Sequence, residues 1–238
     1  MSTDHSASTD NAGLLCMLGL SEEALTIWSK ASIATNAKTI LTNDTAECGA
    51  YAGGTTPTVV AASTNPRLDV RLLNPSEPAL RRAATVVVAA DRAEADYWRN
   101  LAWDAIPSDS SLSEVVTTIR AAMVEAQRRR ELWDLVDDYK SRIAELSKEE
   151  RLVLEAVCLG RLNKQIAKDT GVSIRTVEQR RRRVFEKMGV ESAIPLASRM
   201  AVVRTVAPTT HRLDRAAPAV PKPNLFSLGL SGSPITTG

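Results

Sequence analysis

Two histidines are all that the chain contains, His5 and His211, and both stand in polar terminal segments. No His-centred metal site or Ser/His/Asp constellation can be built from that stock. Cysteine is nearly as scarce. Cys16, Cys48 and Cys158 are odd in number and form no C-x-x-C pair, which argues against a disulfide framework or zinc site and for a reducing, cytoplasmic setting. Aromatic residues make up 4% of the 238 positions, so any core rests on Leu, Val, Ile and Ala. No apolar run approaches the roughly eighteen residues of a membrane span. The segment Met1–Asn11 holds Asp4 and Asp10 but no Lys or Arg, unlike a secretory or transit peptide. No phosphate-binding loop is present either, so neither an enzyme nor a cofactor is expected.

The charge that is present is unevenly placed. Residues 1–145 hold 14 Lys and Arg against 20 Asp and Glu, whereas residues 146–204 hold 13 against 7. A basic module behind an acidic one points to a polyanion-binding domain carried by a domain with another task. Residues 1–12 read as a disordered lead. Short apolar runs then alternate with amphipathic stretches: Gly13–Leu20, Ala37–Thr42, Thr58–Ala62 and Ala84–Ala90 as strands, with Ser21 capping a helix that begins at Glu22 and Glu23. That alternation predicts a doubly wound α/β domain over 13–125. Three prolines between Pro66 and Pro78 break or shorten any helix there. From Leu112 the pattern is continuously helical, and 126–145 reads as a linker helix. Within it Leu132, Val136, Tyr139, Ile143 and Leu146 follow 4-3-4-3 spacing, expected to pair two protomers as a short coiled coil. Residues 207–238 read as a disordered tail.

The segment 146–206 carries the most specific signal. Ser147 and Glu150 form a capping box, Leu152, Val153, Ala156 and Val157 an apolar stripe, and Gly160 a stop. Asn163 caps a second short helix with Ile166 and Ala167 facing inward, and Gly171 supplies a tight turn. Ser173 caps a third helix, Ile174 to Met188, and a fourth covers Ala193 to Val203. At 100° per residue the third helix gathers Val177, Val184 and Met188 on one side, with Arg180 and Arg181 flanking them. Arg175, Glu178, Gln179, Arg182 and Glu186 fall opposite, and Arg183 leans the same way. A packed face backed by bidentate donors and acceptors suits reading base edges in a major groove.

Leu146-Ser-x-x-Glu-Arg-x-Val-Leu, Gly160-x-x-Asn-Lys-x-Ile-Ala and Val172-Ser-x-Arg-Thr-Val-Glu-x-x-Arg-x-x-Val-x-x-Lys-Met together resemble the LuxR/FixJ-type (GerE) DNA-binding domain. The resemblance implies an all-α four-helix domain that binds double-stranded DNA, usually as a dimer. It implies base contacts from Glu178, Gln179 and Arg182. The phosphate backbone falls to Asn163, Lys164 and Thr176, to Arg175, Arg180 and Arg183, and to Lys187. The family often has His where this chain has Arg180. Upstream, the layout resembles a receiver domain whose chemistry is missing. Ala62 stands about where the phospho-acceptor Asp belongs, Ser108 replaces the usual Lys, and Ala89 or Ala90 the switch Thr or Ser. Glu22 and Glu23 alone cannot assemble the Mg²⁺ site, and Asp69 lies in the proline-broken region. The expectation is a multidomain transcription regulator with a degenerate receiver-like domain, not switched by conventional Asp phosphorylation. Homodimerisation through the linker helix or fourth helix is expected, with RNA polymerase or a signalling protein as further partners. A sigma-factor-like promoter reader, or an adaptor with weak DNA binding, stays open.

Overall fold

The computed structural model describes residues 13–64, 68, 70–73 and 80–206. The expected lead (1–12), the expected tail (207–238), both histidines and Asp69 therefore lie outside the described residues. Five strands, β1 (Leu14–Leu18), β2 (Lys38–Thr42), β3 (Thr58–Ser63), β4 (Ala84–Ala89) and β5 (Asp104–Pro107), form one parallel sheet in the order β2-β1-β3-β4-β5. Parallel strands are buried on both faces, which is why they read as near-continuous apolar runs. Alternate residues feed two layers. Leu15, Met17, Val59, Ala61, Val86 and Val88 meet α1 (Glu22–Ala34) and the first half of α4 (Leu112–Ala144). Cys16, Val60, Ala62, Val87 and Ala89 meet α2 (Thr45–Ala52), α3 (Arg92–Trp98) and the apolar side chains of Leu68, Leu72 and Leu80. Among the described residues Trp28 is the buried aromatic of the first layer, and alanines fill much of the rest.

The proline-rich connection between β3 and β4 contains a single turn of 3-10 helix, Val70–Leu73, short as its prolines require. Cys16 and Cys48 are both fully buried free thiols. The Cys48 thiol beside it, together with burial, pushes Cys16 well above the ordinary thiol range, so Cys16 packs as a small hydrophobe.

The stretch expected as a linker over 126–145 is the second half of α4 rather than an element of its own. This helix runs unbroken for 33 residues, about 50 Å, from a capping box at Ser111 and Glu114. Its 4-3-4-3 stripe is not a free seam, so the coiled-coil expectation is corrected. Val136, Tyr139 and Leu146 are 0%, 1% and 4% exposed and lie inside the C-terminal core, with Trp133, Leu135 and Ile143 packed alongside. The chain turns back at Glu145, and α7 (Ile174–Met188) and α8 (Ala193–Val206) fold onto that stripe, with α5 (Lys148–Cys158) packed against both. The N-terminal domain grips the same helix from the other side. Arg82 bridges Asp134 and Asp137, Arg81 bridges Asp137, and Arg81 also stacks over Trp133 at 4.3 Å.

Candidate nucleic-acid interface

Two helices and a turn build the surface. In α6 (Asn163–Thr170) the expected cap moves by one residue: Leu162 is the N-cap, and the Gln165 side chain accepts its backbone N–H at 2.8 Å. Asn163 is the first helical residue instead, which frees its side chain for another partner. Ile166 and Ala167 are buried as expected. Gly171 ends α6 in the left-handed region at φ 67°, a conformation that costs a side chain roughly 1–2 kcal/mol. Ser173 then caps α7, its Oγ accepting the Thr176 N–H at 3.1 Å and meeting Thr176 Oγ1 at 2.8 Å. Thr176 is thus held half-buried at the start of the helix.

Along α7, Val177, Val184 and Met188 are fully buried against α5 and α6. That anchorage leaves Arg175, Glu178, Gln179, Arg182, Arg183 and Glu186 exposed. The opposition that helical spacing predicts is therefore what the fold produces. Arg182 donates through Nε to Glu186 Oε1 at 2.9 Å, one turn on and in open solvent. Arg180 and Arg181 are half-buried. Arg181 donates to Asn163 Oδ1 at 3.0 Å and lies 5.2 Å over the Phe185 ring. Sequence reasoning left that tie undrawn, and the signal for it was the place of Arg181 beside the packed face. Lys164 is exposed one residue after Asn163.

Lys187 stands apart from this row. Its ammonium donates to Glu150 at 2.7 Å and to the Glu145 carbonyl at 3.2 Å. Glu150 is 6% exposed, and the Lys187 ammonium and the Ser147 amide hold its carboxyl below the usual range. The pair ties the start of α5 to the end of α7. One stripe residue is also corrected: Leu152 is half exposed, and Leu154 takes the buried place with Val153 and Val157. The helix itself begins as expected, with Ser147 as its cap; only the buried face is turned, by less than one residue's rotation, toward Leu154.

At the carboxyl ends of the strands, where ligands of open α/β sheets bind, Ala62 is fully buried opposite Leu18. Ser108 donates its N–H to Ala89 O at 2.8 Å and its hydroxyl to Ala90 O at 3.3 Å. Glu22 and Glu23 are exposed in the first turn of α1. Sequence reasoning missed Glu94. Its carboxylate accepts the Ala90 N–H at 2.7 Å, the Thr64 hydroxyl at 3.1 Å and the Trp98 indole N–H at 3.3 Å. An internal anion thus takes the donors at the ends of β3 and β4.

Residues 144–200 match the family described as bacterial regulatory proteins, luxR family. The transcriptional regulatory protein FixJ of Azorhizobium caulinodans is 39% identical over 94 residues, 40% of this chain and 44% of that protein. The response regulator protein TodT of Pseudomonas putida is 38% identical over 79 residues, 33% of this chain and 35% of that protein. The matched stretches thus span less than half the length of these curated relatives. Among solved structures, a low-resolution structure of the response regulator StyR shares the fold across 79% of this chain and 98% of that one, with a TM-score of 0.54 at 14% identity.

Proposed function

On the premise that residues 144–200 form a luxR-family domain behind a receiver-like α/β domain, we propose that this protein is a sequence-specific DNA-binding regulator of transcription. One observation carries the reading: α7 is anchored by Val177, Val184 and Met188 and turns an unbroken polar face outward. On that face Gln179 offers the amide pair that suits adenine, Arg182 the fork that suits guanine, and Glu178 an acceptor for a cytosine amino group. Asn163, Lys164, Arg175, Thr176, Arg180 and Arg183 surround it as contacts to the phosphate backbone, which position the helix without reading sequence. Lys187 is left out of that set because Glu150 holds it. Arg182 must leave Glu186 to reach a base. Breaking an exposed pair costs about 0–1 kcal/mol, less than the roughly 1–3 kcal/mol that a bidentate base contact returns.

Control by conventional Asp phosphorylation is not part of this reading. Ala62 carries no oxygen to accept a phosphoryl group, and Glu94 takes the strand-end donors that an incoming anion would need. Assembly as a homodimer on an inverted repeat belongs to the reading, with α8 as the remaining candidate for the seam.

The test is retention of genomic DNA fragments by the purified protein, with the bound fraction sequenced. Recovery of a short inverted repeat supports the reading. Arg182→Ala should then relax preference at one position at a cost of about 1–3 kcal/mol, whereas Lys164→Ala weakens binding to all sequences alike. Sequence-blind retention, with both substitutions acting equally on specific and random DNA, would sink the assignment of α7 as a reader and leave the adaptor alternative.

A further inference from the structure

Arginines near a DNA-reading helix invite one default role, a direct clamp on phosphate. Arg181 is placed for something else. It projects from the packed side of α7 and reaches back eighteen residues to Asn163, the first residue of α6, with Nη1 3.0 Å from Oδ1. Its guanidinium lies 5.2 Å over the ring of Phe185, itself packed against the C-terminal core. A guanidinium has donors and no acceptor, so it determines which way the Asn163 amide faces: Oδ1 toward Arg181 and the Nδ2 donors away from it. The reverse amide would set donor against donor.

We propose that Arg181 is a positioning residue that touches no DNA, and that it aims the Asn163 amide N–H groups at a phosphate diester of the duplex. This rests on the DNA-binding reading above. The contact would fall at the amino end of α6, beside Lys164, and would bind an anion through neutral donors oriented by a buried-side cation. Two consequences separate it from a phosphate clamp. A clamp releases counterions, so its loss lowers the salt dependence of binding by about one charge, whereas loss of a positioning residue does not. A residue that acts through Asn163 is also silent once Asn163 is gone.

The experiment measures binding of the full chain to a short mixed-sequence duplex as a function of salt, with Arg181→Met, Asn163→Ala, the double variant and Lys164→Met. Each of the first two should weaken binding roughly tenfold, the worth of one hydrogen bond to a charged acceptor, and the double variant should lose no more than either. The slope of log affinity against log salt should stay at the wild-type value in Arg181→Met and drop by about 1 in Lys164→Met. Arg181→Lys, which keeps a donor for Oδ1, should recover part of the loss. Additive losses, or a lowered slope in Arg181→Met, would overturn the proposal. A readout on the wild type alone guards against a misfolded variant. On adding duplex, the Asn163 side-chain amide resonances should shift while the Arg181 guanidinium resonances stay. The opposite pattern overturns it. Absence of any wild-type binding removes the DNA-binding reading itself, and this proposal with it.

Discussion

Tyr139 tests whether the second half of α4 belongs to its own C-terminal domain. The ring is 1% exposed within the C-terminal core cluster, and Arg199 donates to its hydroxyl. Replacing a fully buried ring by a methyl group costs about 3–5 kcal/mol, the transfer loss plus the cavity left behind. That is a large share of the roughly 5–15 kcal/mol that keeps a domain folded. Tyr139→Phe keeps the ring and gives up only the link to Arg199, at about 0.5–1.5 kcal/mol. Hydrogen exchange followed peptide by peptide separates the domains in the intact chain. In Tyr139→Ala, protection across α5 to α8 should fall roughly a hundredfold to a few thousandfold, since each 1.4 kcal/mol is a factor of ten. Strands β1 and β3 should keep theirs. The effect should not depend on protein concentration, because the ring is covered by its own chain. If protection in α5 to α8 held while the protein passed from dimer to monomer, and the dimer reformed at high concentration, the stripe would be a seam between two chains and the intramolecular packing argued above would be wrong.

The charge pair between Glu150 and Lys187 predicts a pH signature. Because the folded carboxyl titrates below its unfolded value of about 4.3, its contribution is complete above that value and disappears as pH falls through the folded one. Glu150→Gln should therefore lower stability at pH 7 by about 1–2 kcal/mol, an amount trimmed because Lys187 is partly exposed; a gap in thermal midpoint that does not shrink at all as the pH falls below the unfolded value would show that charge is not the cause. Gly189 sits at φ 62°, and a Cβ there would lie 2.5 Å from Arg142 Nη1, whereas Gly171 at φ 67° has open space around it. Gly171→Ala should thus cost only the left-handed backbone, about 1–2 kcal/mol, and Gly189→Ala the same plus the displacement of the Arg142 guanidinium, by urea titration; equal losses would mean that Arg142 swings aside at no cost. Glu186→Gln releases Arg182 from its exposed partner and should tighten duplex binding by up to about fivefold; weaker binding would mean that the pair survives on DNA.

Legibility followed the kind of information each element carries. β1, β3 and β4 were visible because strands buried on both faces leave uninterrupted apolar runs, and α7 because three buried side chains at helical spacing oppose an all-polar face. The capping box at Ser147 and the turn at Gly171 were equally plain, since each depends on residues three or four apart. What escaped depends on partners distant in the chain. The stripe from Val136 to Leu146 looks the same whether a second chain or α7 and α8 cover it; periodicity names an apolar face and not its occupant. Lys187 matches a backbone-contact position by spacing, yet Glu150, 37 residues earlier, decides where the ammonium goes. Glu94 gave no signal because Thr64, thirty residues earlier, meets it only once β3 and β4 are side by side. Asn163 was misread as a cap by a single residue, which in a helix changes what the side chain faces.

The helix α4 also sets how this protein can be cut and recombined. A chimera that joins another N-terminal domain to this C-terminal one would conventionally be spliced just before the capping box at Ser147. Here that junction would hand Val136 and Tyr139 to the wrong half and strip two fully buried side chains from the C-terminal core. Moving the junction upstream meets the opposite obstacle, because Asp134 and Asp137 are held by Arg81 and Arg82 of the N-terminal half. Between Trp133 and Asp137 the helix is owned by both halves at once. A working exchange has to transplant those five residues together with the two arginines that hold them, so the unit of exchange is a shared joint rather than either domain.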